Sequence, residues 1–132
     1  KLTVSGGIVS TAGITPDTRY PWGQCTWWAA TRRADIGKPI PGWGNAATWA
    51  GSAASAGYTV DGSPSAGSVI VFQPGVLGAS AGYGHVAMVE EVRGDGSILI
   101  SESNVLGLGV VSTREISASQ LAAAGSGVRY IH

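Results

Sequence analysis

With a single cysteine, Cys25, the chain can close no internal disulfide and build no cysteine-based zinc site. Charge is also scarce. Asp, Glu, Lys and Arg make up 12% of the residues, and eight basic side chains cancel eight acidic ones. Nucleic acid and anionic membranes both select a basic excess, so neither is expected as a partner. No apolar run approaches the roughly 18 residues that cross a bilayer. No targeting signal is present, and Lys1 is not a methionine. The chain therefore reads as an excised or processed piece whose own ends do not reveal its compartment. What is present is a 132-residue chain, 44% apolar, long enough for one domain with one hydrophobic core. Its 21 glycines and five tryptophans are the unusual features.

Residues 1–16 read as a tail or linker with room for one strand. A turn at Tyr20–Gln24 leads into a Trp- and Ala-rich helix over Cys25–Ala34. Arg32 and Arg33 near its end suit the helix dipole, and Gly37 and Pro39 stop it. Asn45 is placed to cap a second helix running to about Ala56, with Gly57 as its terminator. The rest reads as strands: Ser68–Phe72, His85–Val92, Ser97–Ser103, Val110–Ile116 and Val128–Ile131. Arg93-Gly94-Asp95-Gly96 marks a hairpin, and Ser117 with Gln120 a capping box. The twelve-residue loop Gln73–Gly84 is long for a compact domain, which marks it as functional. Helices first and strands after give an α+β fold with an antiparallel sheet of about five or six strands.

Cys25 is more than a small apolar residue by its position. It opens a helix, where unpaired backbone N–H groups favour thiolate over thiol. Gly23 allows close backbone approach, as a substrate there would need. The Cys25 N–H and the Gln24 amide are candidate donors to an oxyanion. A nucleophilic thiol needs a base, and there are two histidines. His132 is terminal and expected to fray, which leaves His85. A four-residue hairpin loop sets Val92 opposite Ser97, Ala87 opposite Glu102 and His85 opposite Asn104. His85, Glu102 and Asn104 then share a face. A two-residue turn keeps that parity and slides the pairs. A three-residue loop sends Glu102 to the other side. On the first reading, Glu102 or Asn104 orients the imidazole.

The stretches Tyr20-Pro21-Trp22-Gly23-Gln24-Cys25-Thr26-Trp27-Trp28-Ala29, Gly84-His85-Val86-Ala87-Met88-Val89 and Ser101-Glu102-Ser103-Asn104 resemble the CHAP family. These are the cysteine, histidine-dependent amidohydrolase/peptidase domains of bacterial and phage cell-wall enzymes. The resemblance runs from about Tyr20 to His132, which sets residues 17–132 as the catalytic domain. It implies a papain-like fold with helices packed on the sheet, Cys25 as nucleophile, His85 as base, Glu102 as its orienter and Asn104 as a supporting or alternative third member. Gln24 would flank the oxyanion site. The implied substrate is peptidoglycan, cut at the muramoyl–L-alanine amide or at a peptide bond of the stem or cross-bridge. The implied setting is extracellular, secreted or wall-associated, as a monomeric domain of a larger protein.

Some family members carry an acidic calcium site before the cysteine. Only Asp17 stands there in this chain, so no metal site and no cofactor are expected. Among the tryptophans, Trp49 is expected in the core, and Trp27 and Trp28 point from different helix faces. Trp22 and Trp43, in loops beside glycines, are expected at the substrate groove with Tyr83 and Gly84. The rival readings are a non-catalytic wall-binding module on the same fold and an NlpC/P60-type endopeptidase with a different third residue.

Overall fold

A computed structural model describes residues 1–132. Helix α1 spans Cys25–Asp35, and α2 spans Trp49–Ser55 after a short 3-10 turn over Ala46–Thr48. Asn45 makes no side-chain cap; the Thr48 hydroxyl instead donates to the carbonyls of Trp43 and Asn45. Six antiparallel strands follow: β1 (Val60–Asp61), β2 (Val69–Phe72), β3 (His85–Val92), β4 (Ile98–Ser103), β5 (Val111–Ile116) and β6 (Val128–Ile131). They form one sheet in the order β1-β6-β2-β3-β4-β5. Helix α3 (Ala118–Ala124) begins with the capping box, in which Ser117 and Gln120 each accept the other's backbone N–H.

Both faces of the sheet are covered, which explains why β2 is apolar throughout instead of alternating. On one face Val69, Val71, Val86, Met88 and Ile131 pack beneath α1 and α2, with Trp28 and Trp49 fully buried between the layers. On the other, Ile70, Phe72, Ala87, Ile98 and Ile100 lie under the 73–84 loop and α3. Trp27 and Trp28 are both core residues, at 3% and 0% exposure. Residues 1–16 lie against the body of the domain. Ile8 bridges to Ser112, the Val9 N–H donates to the Val111 carbonyl at 2.8 Å, and the Leu2 N–H donates to Asp35.

One expectation is corrected here. His132 does not fray: its Nδ1 lies 2.7 Å from Ser65 Oγ, and its Nε2 lies 2.7 Å from Asp61 Oδ1. Its backbone N–H is held by the Thr59 carbonyl. Arg32 and Arg33 stand in the last turn of α1, as expected, and both are buried. Arg33 is satisfied by the carbonyls of Lys38, Gly67, Ile131 and His132, as a guanidinium at this depth must be.

The β3–β4 hairpin decides the geometry of the site. Val92 pairs with Ile98, not Ser97, so near the turn the register is the one that sends Glu102 to the far face. A bulge between Val89 and Glu91 then adds one residue to β3. From Val89↔Ile100 and Met88↔Ser101 onward, His85 and Glu102 lie on the same face. The extra residue, Glu90, turns its carboxylate toward α1. There it accepts Arg32 Nε at 3.1 Å, Arg32 Nη2 at 2.8 Å and the Ser101 hydroxyl at 2.7 Å. Trp28 Nε1 donates to the same hydroxyl at 2.9 Å. This buried polar network secures the bulge.

Candidate active site

Cys25 is the first residue of α1, and Gln24 is the extended residue before it. The turn that delivers them depends on Gly23, which has φ +82°. A Cβ there would meet Gly109 N at 2.7 Å, and the Gly23 carbonyl is held by the Gly109 N–H and by Ser103 Oγ. The close approach is thus to the protein's own β4–β5 loop; the sequence suggested a substrate.

The Cys25 thiol interacts with the His85 imidazole and with the backbone N–H groups of Thr26 and Val86. Burial alone pushes the thiol up. The hydrogen bond and charge of His85, then the two N–H groups, carry it below its ordinary value. His85 Nε2 lies 2.9 Å from Glu102 Oε1, which leaves Nδ1 for the thiol. Burial by itself depresses His85, but Cys25 and Glu102 outweigh it and raise the imidazole to about 9. Glu102 is 1% exposed, and burial pushes it up too; hydrogen bonds from His85 and Arg114 hold it below the usual carboxylate range. The three shifts all favour the charged forms, thiolate, imidazolium and carboxylate in a row, titrating as a coupled set.

Asn104 makes no hydrogen bond to His85. Its Nδ2 donates to Gln24 Oε1 at 3.1 Å from a left-handed backbone at φ +67°. The acceptor end of Gln24 is thereby occupied, and its N–H₂ end stays available as a donor. Arg114, on β5, was not singled out in the sequence. It donates to both oxygens of Glu102, at 3.0 Å from Nε and 2.9 Å from Nη2. No local sequence pattern marked it, because only the β4–β5 pairing brings it to Glu102.

Two cavities of about 410 and 470 Å³ meet at Cys25, forming a groove in two arms. Gln24, Cys25, Tyr83 and Gly84 line both arms. Tyr20, Asn45 and Ala46 wall the first; Leu77, Asn104 and Arg114 wall the second. Trp22 is 61% exposed, packs over Gly109, meets Trp27 at a tilt and lines neither arm. Trp43 packs edge-on against Trp49 and Tyr58, away from the lining of either arm. No three His, Cys, Asp or Glu side chains cluster as metal ligands. Asp17 is occupied by Arg19 and by the N–H groups of Arg19 and Tyr20.

A sheet carrying imidazole and carboxylate, packed on a helix that opens with a cysteine, defines the papain-like class of folds. Within that class the chain belongs to the CHAP domain family, whose profile matches residues 15–104. It is 39% identical over 147 aligned positions to the N-acetylmuramoyl-L-alanine amidase sle1 of Staphylococcus aureus, covering 100% of this chain and 41% of that protein. It is 48% identical over 101 residues to an N-acetylmuramoyl-L-alanine amidase domain-containing protein of the same species, covering 76% of this chain and 16% of the relative. A crystal structure of an N-acetylmuramoyl-L-alanine amidase from S. aureus superposes with a TM-score of 0.80 at 42% identity, over 87% of this chain and 31% of that one. The chain therefore spans less than half the length of each of these proteins.

Proposed function

We propose that the chain is the hydrolytic domain of a larger extracellular, wall-acting protein, and that it cleaves an amide of peptidoglycan by thiol acyl transfer. The observation that carries this reading is the Cys25–His85–Glu102 row at the junction of the two groove arms. The muramoyl–L-alanine amide is the proposed bond, because the relatives are named as amidases of that bond.

Cys25 thiolate attacks the carbonyl carbon. The Cys25 N–H and the Gln24 amide receive the negative oxygen. His85 gives its proton to the leaving amine, and the C–N bond breaks. His85 then takes a proton from water, which attacks the thioester and frees the acyl group. Glu102 keeps the imidazole in the tautomer and angle this sequence needs. Tyr83, Gly84 and Trp22 are the proposed substrate contacts. Trp43 supports the wall of the first arm from behind.

The test is to incubate purified walls of several peptide chemistries with the wild type and with Cys25→Ala, and to identify released fragments by mass spectrometry. Free L-alanine amino termini with intact sugar strands are expected from the wild type and none from the variant. Cut stems or cross-bridges would replace the amidase assignment with an endopeptidase one. Wall binding unchanged in Cys25→Ala, with no fragments from either protein, would leave a binding module.

Asn104→Ala tests the proposed oxyanion donor separately. With Gln24 released, kcat is expected to fall by about tenfold, a fraction of what losing a whole oxyanion donor costs. The pH dependence of Cys25 alkylation by iodoacetamide is expected to stay unchanged, because the Asn104 amide bonds to Gln24 and not to the thiol or imidazole. A displaced alkylation curve would instead put Asn104 with His85.

A further inference from the structure

We propose that Arg114 is a positioning residue of this site: it fixes the plane in which Glu102 meets His85, and it fastens that carboxylate to the loop forming one wall of the groove. The proposal rests on the reading of Cys25, His85 and Glu102 given above.

Arg114 stands on β5 opposite Ile100, so it projects from the same sheet face as Glu102. Its guanidinium makes three directed contacts. Nε meets Glu102 Oε2 at 3.0 Å, Nη2 meets Oε1 at 2.9 Å, and Nη1 meets the Leu77 carbonyl at 2.7 Å. It also lies over the Phe72 ring, 5.4 Å from its centroid, and the His85 ring packs on that phenylalanine at 5.5 Å.

The terminal torsion of a glutamate is soft and roughly two-fold. One hydrogen bond from His85 to Oε1 does not stop the carboxylate from turning. A planar fork on both oxygens does, and it sets which lone pair the imidazole meets. The third contact reaches Leu77, a non-glycine residue in the left-handed region at φ +50°. Leu77 lines the second groove arm. One guanidinium therefore holds both the orienter of the base and a strained turn of the substrate wall. A lysine ammonium keeps the charge but lacks the fork.

The ionisable groups that meet here are Cys25 on α1, His85 on β3, Glu102 on β4 and Arg114 on β5; the loop presents a carbonyl. Removing the cation takes positive charge away from the thiolate, which then forms at higher pH. It also leaves the Glu102 charge acting undivided on His85, which then keeps its proton to higher pH. Both limbs of the reactive window move alkaline. A residue that only braces the fold lowers rates without moving either limb.

The test compares Arg114→Gln, Arg114→Lys and Cys25→Ala by wall turnover and, where the thiol is present, by the rate of iodoacetamide alkylation against pH. For Arg114→Gln, turnover is expected to fall about ten- to hundredfold. Its acid limb is expected to rise by about half a pH unit or more. Arg114→Lys is expected to return the limb to its wild-type position while recovering only part of the turnover. Should Arg114→Gln fail to fold, Arg114→Lys decides together with its melting temperature: a lower kcat at a wild-type melting temperature supports the fork, and a wild-type kcat, or a loss that only tracks a lower melting temperature, overturns it. In folded Arg114→Gln, wild-type turnover or an unmoved acid limb overturns the proposal. Wall turnover persisting in Cys25→Ala overturns the underlying site reading. With Cys25→Ala inactive, a wild-type Arg114→Gln sinks the Arg114 role alone.

Discussion

Replacing His85 with alanine is expected to slow wall hydrolysis by at least about 10³-fold and to return Cys25 to an unreactive thiol at neutral pH. The two effects share one cause. Burial is the largest influence on the thiol and acts to keep it protonated; the hydrogen bond and charge of His85 are the main opposition. Without the imidazole, only the N–H groups of Thr26 and Val86 oppose burial, and the ionisation of Cys25 should move to higher pH. In the wild type the hydrolytic window opens at the lowered thiol pKa and closes near 9, where the imidazolium loses the proton it gives to the leaving amine. Iodoacetamide alkylation read against pH should set in at lower pH in the wild type than for a free thiol. In His85→Ala it should rise only in alkaline solution. A variant that keeps the wild-type curve would mean that the helix N-terminus alone ionises Cys25, and His85 would lose its place as its partner.

Gly84→Ala is expected to damage fold and site together. Gly84 sits at φ +71°, and a Cβ there would lie 2.5 Å from the Phe72 carbonyl oxygen and 3.1 Å from Ala47 Cβ. The obstruction is backbone on β2, not the end of a flexible side chain. Phe72 is the ladder partner of His85, so relief of the clash must lift the start of β3 and carry His85 with it. The left-handed conformation adds its own cost for any residue with a Cβ. Together these should destabilise the domain on the order of 3 kcal/mol or more. The melting temperature should fall by roughly 10 °C. Gly75→Ala is the matched control. It has φ +78° and nothing within 4 Å of its would-be Cβ, so only the backbone cost of about 1 kcal/mol applies. Equal melting temperatures for the two variants would show that the contact with Phe72 does not matter.

The hairpin shows how far sequence reasoning reached in the site. The turn at Arg93–Gly96 and the apolar patterning of the flanking strands were legible. The register was not. The pairing next to the turn is the one that would have separated Glu102 from His85, and a bulge at Glu90 reverses it. That bulge is held by Arg32 from α1 and by Ser101 from β4, contacts remote in sequence that no local pattern encodes. Asn104 and Gln24 are similar. Both were marked as site residues, yet their hydrogen bond spans 80 positions and could not be read from either neighbourhood. Gly23 was marked as a point of close approach, and only the fold reveals that Gly109 is what approaches.

By itself, then, the sequence determined the local chemistry: a cysteine opening a helix, a histidine opening a strand, a Ser117 capping box and an order of elements that makes an α+β domain. These follow from periodicity, capping and turn preferences, which act over a few residues. Tertiary structure alone decided which face Glu102 occupies, what Asn104 holds, that His132 is pinned, and that Arg114 closes on the buried carboxylate. Strand side chains alternate with period two, so a single inserted residue exchanges the faces, and the energy that selects the insertion comes from packing between distant segments.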